Sequence, residues 1–300
     1  MKMKKLSFAI VFLLTIGILQ LYGGKTDVTK KRFEVDPSKQ AVINFIDIDG
    51  NVTVETHNRN EILFTFEKEL KGGESRGRLE YFENVQPEIE FENNRLDIEI
   101  NYPKRKPKIF GIISLPSVKV NSRLVVPVNT DIKIKVVDGN IDVSGLKGNV
   151  ALRSVDGDLT VKQCRGPIKL RTVDGGIDVN RCSGTLSTGT TDGDVTASGV
   201  FTSVYFRSVD GEGTFTFQEG SRLKDDCLFR TVDGDIRLVF TKELGFKLQV
   251  KTGDGRIDME GMEFKNVTMK KRNRFGAEHG DAQYTMEIKT VDGDVSLEKL

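Results

Sequence analysis

The 300-residue chain has no tryptophan, only two histidines and three cysteines. So little histidine leaves few candidates for general acid–base chemistry. His57 stands in THNRN, read as a turn, and His279 in FGAEHGD, read as a loop. Neither has a Ser or Cys nucleophile motif beside it. Net charge is nearly absent too, with 45 basic against 44 acidic residues. That balance argues against a nucleic-acid or polybasic membrane role for the whole chain. Proline is scarce at 7 residues whereas glycine reaches 30, which suits many short strands and tight turns. Beyond residue 24 no hydrophobic run is long enough to span a bilayer.

Residues 1–24 differ from the rest. Lys2, Lys4 and Lys5 precede an apolar run over 6–21, and Gly23 and Gly24 follow it. A basic start, an apolar segment and small residues at a cut site describe a secretory signal peptide. An uncleaved membrane anchor is the alternative. No cysteine follows the run, which argues against a lipoprotein anchor. Removing those three lysines from the 45 basic residues leaves 42 against 44, about −2 for the mature chain. The expectation is an exported protein, in the periplasm or at the cell surface.

What dominates the remainder is a repeat. Asp-Gly pairs recur at Asp138, Asp156, Asp174, Asp192 and Asp210, 18 residues apart each time. Looser copies sit at Asp233, Asp254 and Asp292, and an early one at Asp49. A fixed period of this length marks a repeat architecture. Before each Asp stand inward candidates such as Ile132, Ile134, Val136 or Ile168, Leu170, Thr172. After it stand pairs such as Ile141, Val143 or Leu159, Val161. Alternate side chains of a strand share a face, so these positions predict one buried face. Each unit reads as strand, Asp-Gly turn, strand, second turn.

An antiparallel meander and a parallel β-solenoid both accommodate this pattern. The constant 18-residue length favours the solenoid, because each coil must return to register. The fold expected is all-β: a parallel solenoid over 131–300, with an N-terminal β-strand region over 25–130 packed on or continuing the stack. Four inward side chains per coil contribute roughly 1.5–3 kcal/mol each. Ordering 18 backbones at roughly 1–2 kcal/mol per residue exceeds that, so neighbouring coils must stabilise one another.

In the N-terminal region, 25–35 reads as a polar tether and 71–78 as a loop. Asn93-Asn94 between alternating runs predicts a hairpin. Residues 104–116, KRKPKIFGIISLP, read as a surface excursion, with contact to an anionic surface as the alternative. Later units lengthen, so loops are expected at 218–226, 241–246 and 262–284, the last holding Lys270, Lys271, Arg272 and Arg274. The 38 residues between Asp254 and Asp292 suggest one degenerate coil between them.

The Asp ladder is the chemical candidate. A second acidic row follows at Asp158, Asp194, Asp235 and Asp294. Oxygen ligands at a repeating turn suit calcium. The opposite turns carry no carboxylate, however, and turn chemistry explains the residues: Asp capping N–H groups, Gly supplying positive φ. Three residues before the Asp of most units runs a cation row: Lys135, Arg153, Arg171, Arg207, Arg230, Lys251 and Lys289. It reads as a balancing face for the carboxylates, or as a surface for an acidic glycan. Cys164 and Cys182 hold equivalent places in adjacent units, about 4.8 Å apart if stacked, which allows a disulfide. Cys227 falls at a core position and reads as buried and inert. No catalytic, cofactor-binding or metal-binding residue is assigned.

DGNVTV at 49–54, LVVP at 124–127, the long TDIKIKVVDGNIDVSGLKGNVALRSVDGDLTV and the closing MEIKTVDGDVSL resemble the bacterial "putative adhesin" family of unknown function, whose fold is called toastrack. That resemblance spans residues 33–300 and implies a β-solenoid at the cell envelope. It carries over no catalytic residue. The function expected is a non-catalytic structural or binding module, partnered by an envelope protein or a surface glycan. The alternatives are an envelope-stress accessory docking on a membrane protein, and a carbohydrate-active β-helix enzyme.

Overall fold

Ile132 and Ile134 lie beside Val150 and Leu152, which lie beside Ile168 and Leu170, all in parallel register. On the opposite side Ile141 and Val143 stack on Leu159 and Val161, then on Ile177 and Val179. Each partner is 18 residues on, as a solenoid requires. The computed structural model describes residues 25–103 and 117–300, together with the backbone of Leu14–Thr15. The signal-peptide reading and the 104–116 excursion fall outside the described residues, the two-residue strand excepted. No helix among the described residues is long and apolar enough to cross a membrane.

The coils form two facing sheets, one from strands before Asp-Gly and one from strands after it. Ile177–Gly189 and Val195–Arg207 run through the second turn and join the two. Alternation puts Val, Ile and Leu between the sheets through the central coils. From Phe201 onward the same space holds phenylalanine, with Phe217, Phe240 and Phe246 in successive stacked contacts at 5.4 and 5.3 Å. The N-terminal region continues this stack: Ala41–Ile46 pairs with Thr130–Lys135, and Asn51–His57 with Ile141–Ser144.

At both ends the order of coils departs from the order of sequence. Arg95–Asn101 and Ser117–Pro127 pair with the outer side of the 41–57 coil, which is thereby enclosed by two later segments. At the far end the coil of Asp233 is followed in space by that of Asp292, not Asp254. Cys227–Arg230 pairs with Thr285–Lys289, and Ile236–Phe240 with Val295–Lys299. Phe246–Lys251 and Ile257–Glu260 then pair on the outer side of those same strands. The degenerate coil expected between Asp254 and Asp292 does not exist. The chain skips one level, turns back through a hairpin, and its last coil fills the gap.

Other local expectations also change. Residues 25–35 are no tether, since Thr26–Glu34 pairs antiparallel with Glu61–Lys71 as an added strand. Part of the 71–78 loop begins a helix, Arg76–Asn84, which buries Phe82 alone. Leu79 and Tyr81 pack partly buried beside it, too short an apolar stripe to stand out as helical periodicity. The buried Lys68 ammonium holds the helix end, donating to the carbonyls of Phe82 and Val85 at 2.8 and 2.9 Å. A cation there also complements the negative end of the helix dipole. The Asn93-Asn94 hairpin forms as expected, with φ of 51° and 63°. His279 sits on the strand Arg274–His279 rather than a loop, buried with rings of Phe246 and Phe264 at 5.4 and 5.6 Å. His57 ends the strand Asn51–His57, its Nε2 2.8 Å from the Glu61 carbonyl.

Candidate functional site

The Asp-Gly corners are built from backbone before side chain. The carbonyl of Val137 accepts the N–H groups of both Val155 and Asp156, at 3.2 and 2.8 Å, and the carbonyl of Val155 does the same for Val173 and Asp174. A hydroxyl two residues before Asp locks the same corner from inside. Thr172 Oγ1 donates toward Val155 and Gly157 carbonyls at 3.3 and 3.2 Å, and Thr231 does so toward Val209 and Gly211. Ser154, Thr172, Thr190, Ser208, Thr231, Thr252 and Thr290 are all buried here.

Glycine is required for contact at every corner from Gly139 to Gly211, and at Gly139 and Gly193 for positive φ as well. A Cβ on Gly157 would stand 2.1 Å from the Gly139 carbonyl oxygen, and one on Gly175 2.3 Å from that of Gly157. Neither residue has positive φ. At two other corners Gly139 and Gly193 do, with φ of 148° and 155°, and further left-handed residues lie in the second turns, at Gly145, Gln163, Gly166, Arg181 and Gly184. Stacking of identical corners at one strand spacing leaves no room for a side chain, a cause that no single coil contains.

The two acidic rows differ in role. The second row is structural: Asp158 Oδ1 accepts the Gly176 N–H at 2.9 Å, Asp194 Oδ1 that of Glu212, and Asp235 Oδ1 that of Asp294. Asn51 and Asn140 serve the earlier coils in the same way. These bonds reach the next coil, so the expected capping within one turn belongs to this row and acts between turns. Asp138, Asp156, Asp174, Asp192 and Asp210 point outward in a ladder, with parallel bridges between several neighbours. Among the described residues no three of His, Cys, Asp and Glu are grouped to hold a metal ion.

The cation row is continuous in register: Lys135 beside Arg153, Arg153 beside Arg171, then Gly189, Arg207, Arg230, Lys289 and Lys251. Arg230 and Lys289 both contact Glu287. Among the described residues Lys135, Arg153, Arg171, Arg207 and Lys251 form no ion pair, so the balancing contact with the Asp ladder is not made. Arg207 lies over the Tyr205 ring at 4.9 Å. Gly189 interrupts the row, and a shallow depression of about 300 Å³ opens there between Arg171 and Arg207. The buried Thr188 hydroxyl in its lining has no hydrogen-bond partner.

Between cations and carboxylates runs a stripe that sequence reasoning passed over. Ile48, Val137, Val209, Val232 and Val291 are 42–54% exposed, each directly before its Asp. Alternation carries the signal: Val136 faces inward, so Val137 must face out. The corners of Asp138, Asp210, Asp233 and Asp292 thus display cation, apolar and carboxylate residues side by side, whereas the corner of Asp192 has Gly189 and Thr191 in the first two places.

The remaining perturbed groups lie apart. Burial pushes the Asp47 carboxyl from 3.8 up to about 6, against the Tyr102 hydroxyl 2.7 Å away. Asp47 occupies the position that Ser or Thr takes in later coils, and its Oδ2 is buried without a partner. Cys164, Cys182 and Cys227 are buried free thiols, Cys164 N–H donating to Cys182 Sγ at 3.4 Å. Burial pushes Cys227 up to about 12, in keeping with its core position.

Stacked parallel coils, two facing sheets and side-chain ladders along the corners define a β-solenoid repeat protein. The profile of the Toastrack DUF4097 family matches residues 25–298, and the chain belongs to that family. No curated protein matches it. Among solved structures it is similar to a "putative adhesin" from Bacteroides fragilis NCTC 9343, at 11% identity over 91% of this chain and 97% of the other, TM-score 0.46. It is also similar to a "putative cell adhesion protein" from Clostridium sporogenes ATCC 15579, at 13% identity over 92% and 100%, TM-score 0.29. A third, a "putative lipid binding protein" from Parabacteroides distasonis ATCC 8503, is 13% identical over 91% and 96%, TM-score 0.30.

Proposed function

We propose that the protein is an exported, non-catalytic binding module of the cell envelope that holds an extended anionic polymer, a surface glycan bearing carboxylates or sulfates, along its cation row. The observation that carries this reading is the row itself: cations at one strand spacing, most of them without a carboxylate partner. Stacked strands fix the spacing of these side chains, so a periodic anion can engage several at once, which favours binding through many weak contacts. The valine stripe beside the row adds apolar surface for the polymer's less polar face. The notch at Gly189 admits a substituent that a continuous arginine row would exclude.

Retention on an acidic polysaccharide matrix tests this. The expected result is elution at a salt concentration that falls sharply when Arg153, Arg171 and Arg207 are changed to Glu. Substituting Lys30 and Lys31, which lie on another strand, should leave elution unchanged. Equal retention of all three proteins would overturn the cation row as the binding surface.

A further inference from the structure

The sheet built from strands before Asp-Gly ends in edges of opposite charge. At the N-terminal end its last strand is Gln86–Glu92, paired on one side with Arg95–Asn101 and with no other described strand. Glu88, Glu90 and Glu92 alternate along it with Ile89 and Phe91. None of the three forms an ion pair among the described residues; Glu88 accepts a hydrogen bond from Asn101. At the C-terminal end the last strand is Lys265–Lys271, paired among the described strands only with Arg274–His279. It is exposed along its whole length. Lys265, Lys270, Lys271, Arg272 and Arg274 also form no ion pair among the described residues, and Val267 and Met269 are exposed beside them.

We infer that the protein associates with a second copy of itself head to tail, the acidic edge of one molecule pairing with the basic edge of the next. Strand direction agrees with this. Gln86–Glu92 runs against the coils, because it pairs antiparallel with Arg95–Asn101, which follows them. Lys265–Lys271 runs with the coils, because two antiparallel steps separate it from Phe246–Lys251. Laid edge to edge with the sheets aligned, the two form an antiparallel pair. Unpaired N–H and C=O groups on an edge strand are a template for such pairing.

Charge also selects the mode. Two acidic edges repel, and so do two basic edges, which leaves head-to-tail contact favoured. The molecular ends are stepped in opposite senses as well. At the N-terminal end the other sheet extends further, through Glu61–Lys71 to Thr26–Glu34, whereas at the C-terminal end it stops at Ile257–Glu260 and the hairpin strands project. A heterologous contact of this kind does not close on itself unless it rotates into a ring, so the product is an open filament.

Sedimentation velocity of the purified full chain, with no ligand added, tests the inference separately from glycan binding. At low salt the average mass should rise with protein concentration, and it should return to monomer at roughly 1 M salt, where the Debye length is about 3 Å. A variant carrying Glu88→Lys, Glu90→Lys and Glu92→Lys has two basic edges. A variant carrying Lys265→Glu, Lys270→Glu and Lys271→Glu has two acidic edges. Each should stay monomeric alone, and an equimolar mixture should assemble. Recovery in the mixture also shows that both variants are folded. Should either fail to fold, Glu88→Gln with Glu90→Gln is the milder form, expected to weaken association about tenfold. A wild-type protein monomeric at every concentration would overturn the inference. So would reversed variants that assemble alone, or wild-type protein that binds anionic vesicles through Lys265–Lys271 without self-association.

Discussion

The central coils and the C-terminal coils use one unit in two ways. Between Thr130 and Arg207 every coil stacks on its neighbour in sequence, 18 residues away, and the core is mostly Val, Ile and Leu. From Phe201 onward the core turns to phenylalanine, and partners lie much further apart. Ile236 pairs with Val295 and Phe246–Lys251 pairs beside Thr285–Lys289. The central stack can grow one coil at a time. The C-terminal stack is incomplete until Thr285–Lys289 and Val295–Lys299 enter between segments already made, so its closure depends on the last residues of the chain. Larger aromatic side chains suit that role, since each buries more surface across a gap closed by distant segments.

Removing residues 285–300 should produce the largest effect. It exposes Cys227, Phe229, Ile236, Leu238, Leu248 and Val250 at once. The expected outcome is loss of protease resistance over 227–280 while 130–207 stays protected, measured by limited proteolysis with mass spectrometry. Uniform loss across the chain would show that both regions unfold as one unit and would break the comparison.

Within the central stack, Gly175→Val should cost at least about 3 kcal/mol, because its Cβ would stand 2.3 Å from the Gly157 carbonyl. Gly175→Asn should cost nearly as much. Asn tolerates positive φ, so a mild effect would return the requirement to backbone conformation. Gly176→Ala is the control, since its nearest contact would be 3.5 Å away. Thermal melting distinguishes these outcomes.

At the N-terminal end, Lys68→Met should destabilise by about 2–3 kcal/mol in chemical denaturation, since it takes the ammonium donor from the Val85 carbonyl and leaves the Phe82 carbonyl only the bond from the Val85 N–H. A change below about 0.5 kcal/mol would mean that the helix end is satisfied without it.

Asp47 supplies the smallest effect and a pH signature. Its folded value of about 6 lies above 3.8, so the native state holds the proton more tightly than the unfolded chain. Its contribution therefore favours folding below about pH 4, falls as pH rises toward about 6, and is flat above that, a swing of at most about 3 kcal/mol. Asp47→Asn should abolish that swing and raise stability at pH 7.5 by about 1–2 kcal/mol, measured as denaturation midpoints across pH. An unchanged pH profile would place the swing elsewhere.

The candidate site was half legible. The cation row, both acidic rows and the inward positions follow from aligning units at Asp138, Asp156 and Asp174. The valine stripe follows from the same alignment, since the residue after an inward Val136 must face out. That Asp158 bonds to the next coil, and that the cations and corner carboxylates do not pair, depends on side-chain placement across coils. The helix Arg76–Asn84 was illegible because Leu79, Tyr81 and Phe82, all within one turn, make too short a pattern to show a period.

By itself the sequence determined the repeating coil: its 18-residue period, the alternate residues that face inward, and the positions of its corners. These are local, since pleat and register are set within two adjacent units. Only the tertiary structure decided the order of coils at the two ends, the reason glycine occupies the corners, and the charge that each end presents. Each of those depends on which distant segment lies alongside. Once one coil can stack on any other, a period in the sequence does not say which neighbour it meets.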